Sequence, residues 1–160
     1  MIGPAGENDA AMFDIDDTLI WTNGTPNVPI INLLHKMKDL GYHIIIITAR
    51  PGIPGVIEYT IKQLQNHGIP YHYLGFTSAE TKTVMKKKLG YNYILSVGDM
   101  PTDWTDSKYY INTSNSYHNW DSLQTQSWVH QRTSFASGNR SFSLIYNVHI
   151  WRNHLDFYSP

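Results

Sequence analysis

A doubly wound α/β fold, with a parallel sheet covered by helices on both faces, is what this sequence predicts, and three observations predict it. Short apolar, β-branched runs alternate with segments of helical period. Proline and glycine punctuate the helical segments at their starts and ends. Asp14, Thr48 and Asp99, three polar residues able to do chemistry, each fall at the carboxyl end of a predicted strand, the edge where such sheets place ligands.

Each element follows from its residues. Ala11 to Ile15 is a short apolar run closed by an acidic turn, as expected of a fully buried strand. After it, Asn23-Gly24 lies between extended residues and predicts a small hairpin flap carrying Trp21. From Pro29 to Leu40, Ile30, Leu33, Leu34, Met37 and Leu40 share one helical face, with Gly41 just past the end. Tyr42 to Thr48 holds four consecutive isoleucines, which suits a strand buried on both sides. Val56, Ile57, Ile61 and Leu64 make a second amphipathic helix ended by Gly68, and Tyr71 to Phe76 a third extended segment. Thr77 with Glu80 three residues on reads as a capping box opening a helix through Leu89. Tyr93 to Val97 and Tyr109 to Asn112 are the fourth and fifth strands. Beyond Thr113, Phe142, Leu144, Tyr146, Val148 and Ile150 alternate, and Ser137-Gly138-Asn139-Arg140 suits a turn, so a hairpin is expected; a helix on Leu144, Val148 and Trp151 stays open.

The bulk properties narrow the function. A chain of 160 residues is expected to form a single domain over 1–160, with the motif-bearing core at 11–112 and 113–160 as its C-terminal extension. A net charge of -1 supplies no global field to draw nucleic acid or anionic membrane. No long apolar run predicts a membrane span, and the first eleven residues lack the pattern of an export signal, so the expected location is cytoplasmic. The absence of cysteine removes disulfides, thiolate ligands and thiol nucleophiles, leaving oxygen and imidazole chemistry. The eight histidines show no metal-binding grouping.

The polar residues then assemble into a phosphoryl-transfer site. A carboxylate at Asp14 can attack phosphorus and form an aspartyl-phosphate, splitting one hard hydrolysis into two displacements. Two residues on, Asp16 can protonate the leaving group and then deprotonate water. Magnesium is a hard ion that takes oxygen ligands, and Asp14, the backbone carbonyl of Asp16 and Asp99 would supply three, with Asp103 holding a metal-bound water or the position of Asp99. Thr48, backbone amides beside it such as that of Ala49, and the Lys82 ammonium are suited to the phosphoryl oxygens. Lys82 would also offset the crowded carboxylates.

Phe13-Asp14-Ile15-Asp16-Asp17-Thr18-Leu19, the apolar run ending in Thr48, Lys82, and Gly98-Asp99 through Asp103 together resemble, in order, the four motifs of the haloacid dehalogenase superfamily of phosphohydrolases. Ile47-Thr48-Ala49-Arg50-Pro51, Thr81-Lys82-Thr83, Gly90-Tyr91-Asn92-Tyr93-Ile94 and the stretch from Gly98 to Trp104 are similar to the class B and C acid phosphatases of that superfamily. The resemblance implies a Rossmann-like core and a magnesium-dependent phosphatase. The intervals from Thr18 to Thr48 and from Thr48 to Lys82 leave little room for the superfamily's cap insertions, which implies an open site. The resemblance also implies that capless members often act on bulky substrates, including protein phosphoesters and nucleic-acid ends; the expected partner is a nucleotide, a nucleic-acid end or a small phosphometabolite, which the sequence does not separate.

Plainer roles stand beside these. Asp17 reads as a turn residue. Arg50 can bind substrate phosphate or the flap, or form an exposed salt bridge; Trp21 can stack on a substrate ring or simply pack. Lys86, Lys87 and Lys88 lie in the last turn of their helix, where the macrodipole favours cations, with a nucleic-acid patch as the alternative. A phosphate-binding scaffold and a phosphotransferase remain alternatives to the hydrolase, and the oligomeric state is open.

Overall fold

The computed structural model describes residues 2–114, 147–152 and 156–158. The chain runs β1 (Asp9–Phe13), α1 (Val28–Asp39), β2 (His43–Thr48), α2 (Pro54–Asn66), β3 (Tyr73–Phe76), a 3-10 turn (Ala79–Thr81), α3 (Lys82–Leu89), β4 (Asn92–Gly98), α4 (Pro101–Trp104), β5 (Ser107–Asn112), β6 (Asn147–Arg152) and β7 (Asp156–Tyr158). One sheet holds all seven strands in the order β5-β4-β1-β2-β3-β6-β7. The five from β5 to β3 are parallel, β6 continues parallel beside β3, and β7 closes antiparallel on β6. The architecture is Rossmann-like α/β, consistent with the core that the sequence resemblance implies. The path moves outward from β1 through β2 to β3, then returns to the other side of β1 for β4 and β5, so the strand order reverses beside β1.

Two buried clusters show why the strands read as continuously apolar. Ala11, Phe13, Ile44, Ile46, Leu74, Leu95 and Val97 face one way and pack with Ile30, Leu33, Leu34 and Met37 of α1 and Leu64 of α2. Ala10, Met12, Ile45, Ile47, Tyr73 and Tyr93 face the other way and meet Met85 of α3. Successive strand residues point to opposite faces, so a strand with helices on both sides must be apolar at every position. The four isoleucines of β2 are fully buried for that reason.

Several local readings shift. The first strand starts earlier than the apolar run suggests, because Asp9 pairs with Asn92, whose side-chain Nδ2 donates to Asp9 Oδ1 at 2.8 Å. Its chain ends the strand at Phe13, and the carbonyl of Ile15 accepts from the amides of Thr18, Leu19 and Ile20, turning the backbone just past Asp14. The capping box does not form: the Thr77 amide instead donates to the Thr48 carbonyl at 3.0 Å, and its hydroxyl meets that of Thr81. Thr77 thus continues the β2–β3 edge, and α3 begins only at Lys82. The flap is a three-residue loop in which the Trp21 amide donates to Thr25 O at 2.9 Å; Gly24 alone takes positive φ, 85°, as the last loop residue of such a hairpin requires. Asp17 has φ 55° and accepts from the amide and hydroxyl of Thr22, a turn role. The alternating stretch after Phe142 yields strand at Asn147–Arg152, part of a β6–β7 hairpin, while the expected turn at 137–140 lies outside the described residues. Among the described residues, no helix is long and apolar enough to cross a membrane.

At the opposite edge of the sheet from the strand ends, the Ile44 amide donates to His72 Nδ1 at 2.8 Å. Burial, with smaller effects from His43 and Lys38, lowers the imidazole pKa from 6.5 to about 4. A depressed folded-state value means that the contribution to stability is complete above pH 6.5 and is lost as pH falls toward 4. His72→Asn keeps an acceptor for Ile44 without the titration. Urea midpoints at pH 7 and pH 4.5 should show the wild type losing about 1 kcal/mol more than the variant, a figure reduced for partial solvation; equal losses would refute the assignment.

Candidate functional site

The strand ends on both sides of the order reversal carry the acidic residues. Asp14 follows β1 and its amide donates to Val97 O at 2.9 Å, so the aspartate is held by the last rung of the β1–β4 ladder. Asp99 follows Gly98, the end of β4. Asp103 lies in α4, one turn further, and Thr48 ends β2. Lys82 is the first residue of α3, which brings its side chain in from the other face of the sheet. A reversal of strand order leaves a crevice at this edge, because the two adjoining connections depart to opposite sides.

The inner geometry is compact. Lys82 Nζ donates to Asp14 Oδ1 at 2.8 Å and to Asp103 Oδ1 at 2.7 Å, with all three side chains buried. Asp103 Oδ2 accepts the Met100 amide at 3.0 Å, so both its oxygens are engaged. Gly98 has to be glycine here, since a Cβ would fall on the Asp103 side chain. Trp104 Nε1 donates to Gly98 O at 2.9 Å and its ring stacks on Tyr110, which pins the short helix against β4 and β5.

Asp14, Asp99 and Asp103 each offer a carboxylate oxygen within 4.8 Å of the others. Burial pushes the Asp14 carboxyl well above its usual range, against the pull of Lys82 and with the repulsion of Asp103. Burial alone would lower the Lys82 ammonium, yet Asp14 and Asp103 outweigh it and hold the group protonated. One ammonium among three carboxylates leaves net negative charge in a poorly solvated place, which a cation would offset. The donors are all carboxylate oxygens, with no nitrogen or sulfur, so the triad can hold a hard metal ion.

Around this centre the expected residues divide. The Thr48 hydroxyl is buried and accepts the Arg50 amide at 3.2 Å. Ala49 is exposed just beyond it, and Trp21 on the flap is partly buried. Asp16 is not in the carboxylate triad: its side chain turns outward and is gripped by Arg50, Nε to Oδ2 at 3.0 Å and Nη2 to Oδ1 at 2.8 Å. Arg50 thus forms an ion pair, with Asp16 as its partner.

Lys86 corrects the reading of the lysine run. It is fully buried, and its ammonium, with three protons to donate, lies within hydrogen-bonding distance of four oxygens: Ser96 Oγ at 2.9 Å, Asp103 O at 3.0 Å, Ser107 Oγ at 3.0 Å and the Thr105 carbonyl. Only Lys87 and Lys88 are exposed. The signal was present: Lys82 and Lys86 are one helical turn apart and so share a face, the face turned toward the sheet. The 3.0 Å hydrogen bond between the buried hydroxyls of Thr18 and Thr113 gave no sequence signal, whereas the short helix α4 had one in Pro101 at its start.

No family model and no curated protein matches this chain. A chain in the solved structure of the Pnkp1/Rnl/Hen1 complex superposes with a TM-score of 0.51 at 23% sequence identity, over 59% of this chain and 40% of that one. The likeness is one of fold, and the chain spans well under two thirds of its neighbour's length.

Proposed function

We propose that this protein is a magnesium-dependent phosphomonoesterase of the haloacid dehalogenase type, working through an aspartyl-phosphate on Asp14. The observation that carries the reading is the buried Lys82 ammonium bridging Asp14 and Asp103, with Asp99 close enough to share a cation, at the edge where the strand order reverses. Asp14 and Asp99, with the backbone carbonyl of Asp16 and with Asp103 adjacent, would hold the ion. When bound, it supplies positive charge against the carboxylates and the phosphoryl oxygens.

The chain's own groups account for the rest. An Asp14 oxygen attacks phosphorus while the ester oxygen departs with a proton from Asp16. Asp16 then takes a proton from water as that water attacks phosphorus, which releases inorganic phosphate and restores Asp14. Thr48 has its oxygen occupied by the Arg50 amide and retains a hydroxyl proton to donate to a phosphoryl oxygen. Lys82 keeps the two inner carboxylates from repelling each other and adds charge complementary to phosphate. The substrate class we assign is a phosphate monoester of a nucleotide, a nucleic-acid end or a small metabolite.

An aryl phosphate assayed with magnesium, without it, and after chelation tests this. Turnover is expected only with the metal, restored when magnesium is returned. A protein that binds inorganic phosphate tightly yet turns over nothing with magnesium present would be a scaffold instead.

A further inference from the structure

We infer that Arg50 is a positioning residue that fixes the carboxylate of Asp16 beside the departing group of the substrate, an inference resting on the phosphatase reading above. The guanidinium is braced on several sides. Nε and Nη2 hold both oxygens of Asp16, and Nη1 donates to Thr60 Oγ1 at 3.1 Å. Thr60 in turn donates to Val56 O at 2.7 Å, tying the arm to the first turns of α2. The Arg50 amide holds Thr48, and its guanidinium carbon lies 5.9 Å from the centre of the Tyr59 ring. Every side-chain nitrogen of Arg50 therefore has a partner.

Exposure shows the direction of the grip. The Arg50 side chain is 14% exposed and that of Asp16 53%. A shielded, anchored cation thus holds an open carboxylate from its inner side, leaving the outer side facing solvent at the mouth of the site. An exposed aspartate on a turn would otherwise sample several rotamers. A rigid two-point fork removes that freedom, as a single ammonium could not. Proton transfer to a leaving group demands a donor within hydrogen-bond reach, so orientation lost here is catalysis lost. The same engagement argues against Arg50 as a phosphate ligand.

Leaving-group dependence separates the roles. An aryl phosphate departs with little help from a proton donor, whereas an alkyl phosphate needs one. With magnesium present, Arg50→Ala should lower kcat on an alkyl phosphate by about 100-fold and on an aryl phosphate only a few-fold, with KM little changed. Asp16→Asn should show the same split, and combining the two should cost no more than Asp16→Asn alone. Arg50→Lys should recover only part of the loss. Thr60→Val, which leaves the Arg50 charge in place, should give a smaller loss of the same kind and guards against misfolding of the first variant. Equal losses on both esters with raised KM would make Arg50 a phosphate ligand and overturn the inference, as would full activity of Arg50→Ala on the alkyl ester. A wild type inactive on both esters would instead remove the phosphatase reading, and the inference with it.

Discussion

Asp14→Asn should abolish turnover while leaving the metal-free protein at least as stable as the wild type. The amide cannot attack phosphorus, so kcat should fall by roughly 10³-fold or more, and no acid-stable phosphoryl-protein should accumulate. Stability should move the other way. Burial raises the Asp14 pKa above its unfolded value, so any stabilisation from this group is present only at low pH and is lost as pH rises through the folded value. Ionising this carboxyl in the metal-free protein therefore costs stability. The variant leaves Lys82 paired with Asp103 at 2.7 Å, a balanced ion pair, and the Asn carbonyl can still accept from the ammonium. Thermal melts should therefore show an unchanged or raised Tm without metal, and a smaller rise on adding magnesium than the wild type shows. A variant that keeps more than a tenth of the wild-type kcat would remove Asp14 as nucleophile. A much lower Tm would mean that its charge supports the fold, contrary to the geometry.

Replacing Lys82 by methionine should be the most destabilising single change at the site. The ammonium separates two buried carboxylates, and without it Asp14 and Asp103 face each other with no cation between them. Removing one partner of a buried ion pair typically costs about 3–5 kcal/mol, because the charge left behind is not resolvated. The raised Lys82 pKa keeps the ammonium charged, and its support in place, below the unfolded value of 10.5 wherever its partner carboxyls are ionised, so the loss should be seen at neutral pH. Chemical denaturation should show it directly. Adding Asp103→Asn to the variant should restore part of the stability by removing one of the opposed charges, a coupling that a double-mutant cycle measures. If the double variant is no more stable than Lys82→Met alone, the cost comes from lost packing and not from charge.

Some elements are legible in the sequence because they rest on local pattern. The isoleucines of β2 could only be a strand sealed on both faces, and the acidic turns after β1 and β4 could only lie at the strand ends. Helices α1 and α2 followed from their apolar stripes to within two residues. Thr77 and Glu80 misled because a capping signature is local, whereas the Thr77 amide is claimed by the Thr48 carbonyl in a neighbouring strand. The lysine run misled for a similar reason. Helix position alone allows a solvated cation at Lys86, and only the approach of Ser96, Asp103, Thr105 and Ser107 makes burial of the charge tolerable.

By itself, the sequence determined the alternation of strands and helices, the two-sided burial of the central strands, and the edge of the sheet at which the carboxylates stand. These depend on periodicity and strand ends, which neighbours in the chain decide. Tertiary structure alone decided which side chain answers which: Lys82 on Asp14 and Asp103, and Arg50 on Asp16 and not elsewhere. Those pairings join residues 21 to 68 positions apart, and their energies depend on distance and burial, quantities that exist only once the chain has closed on itself.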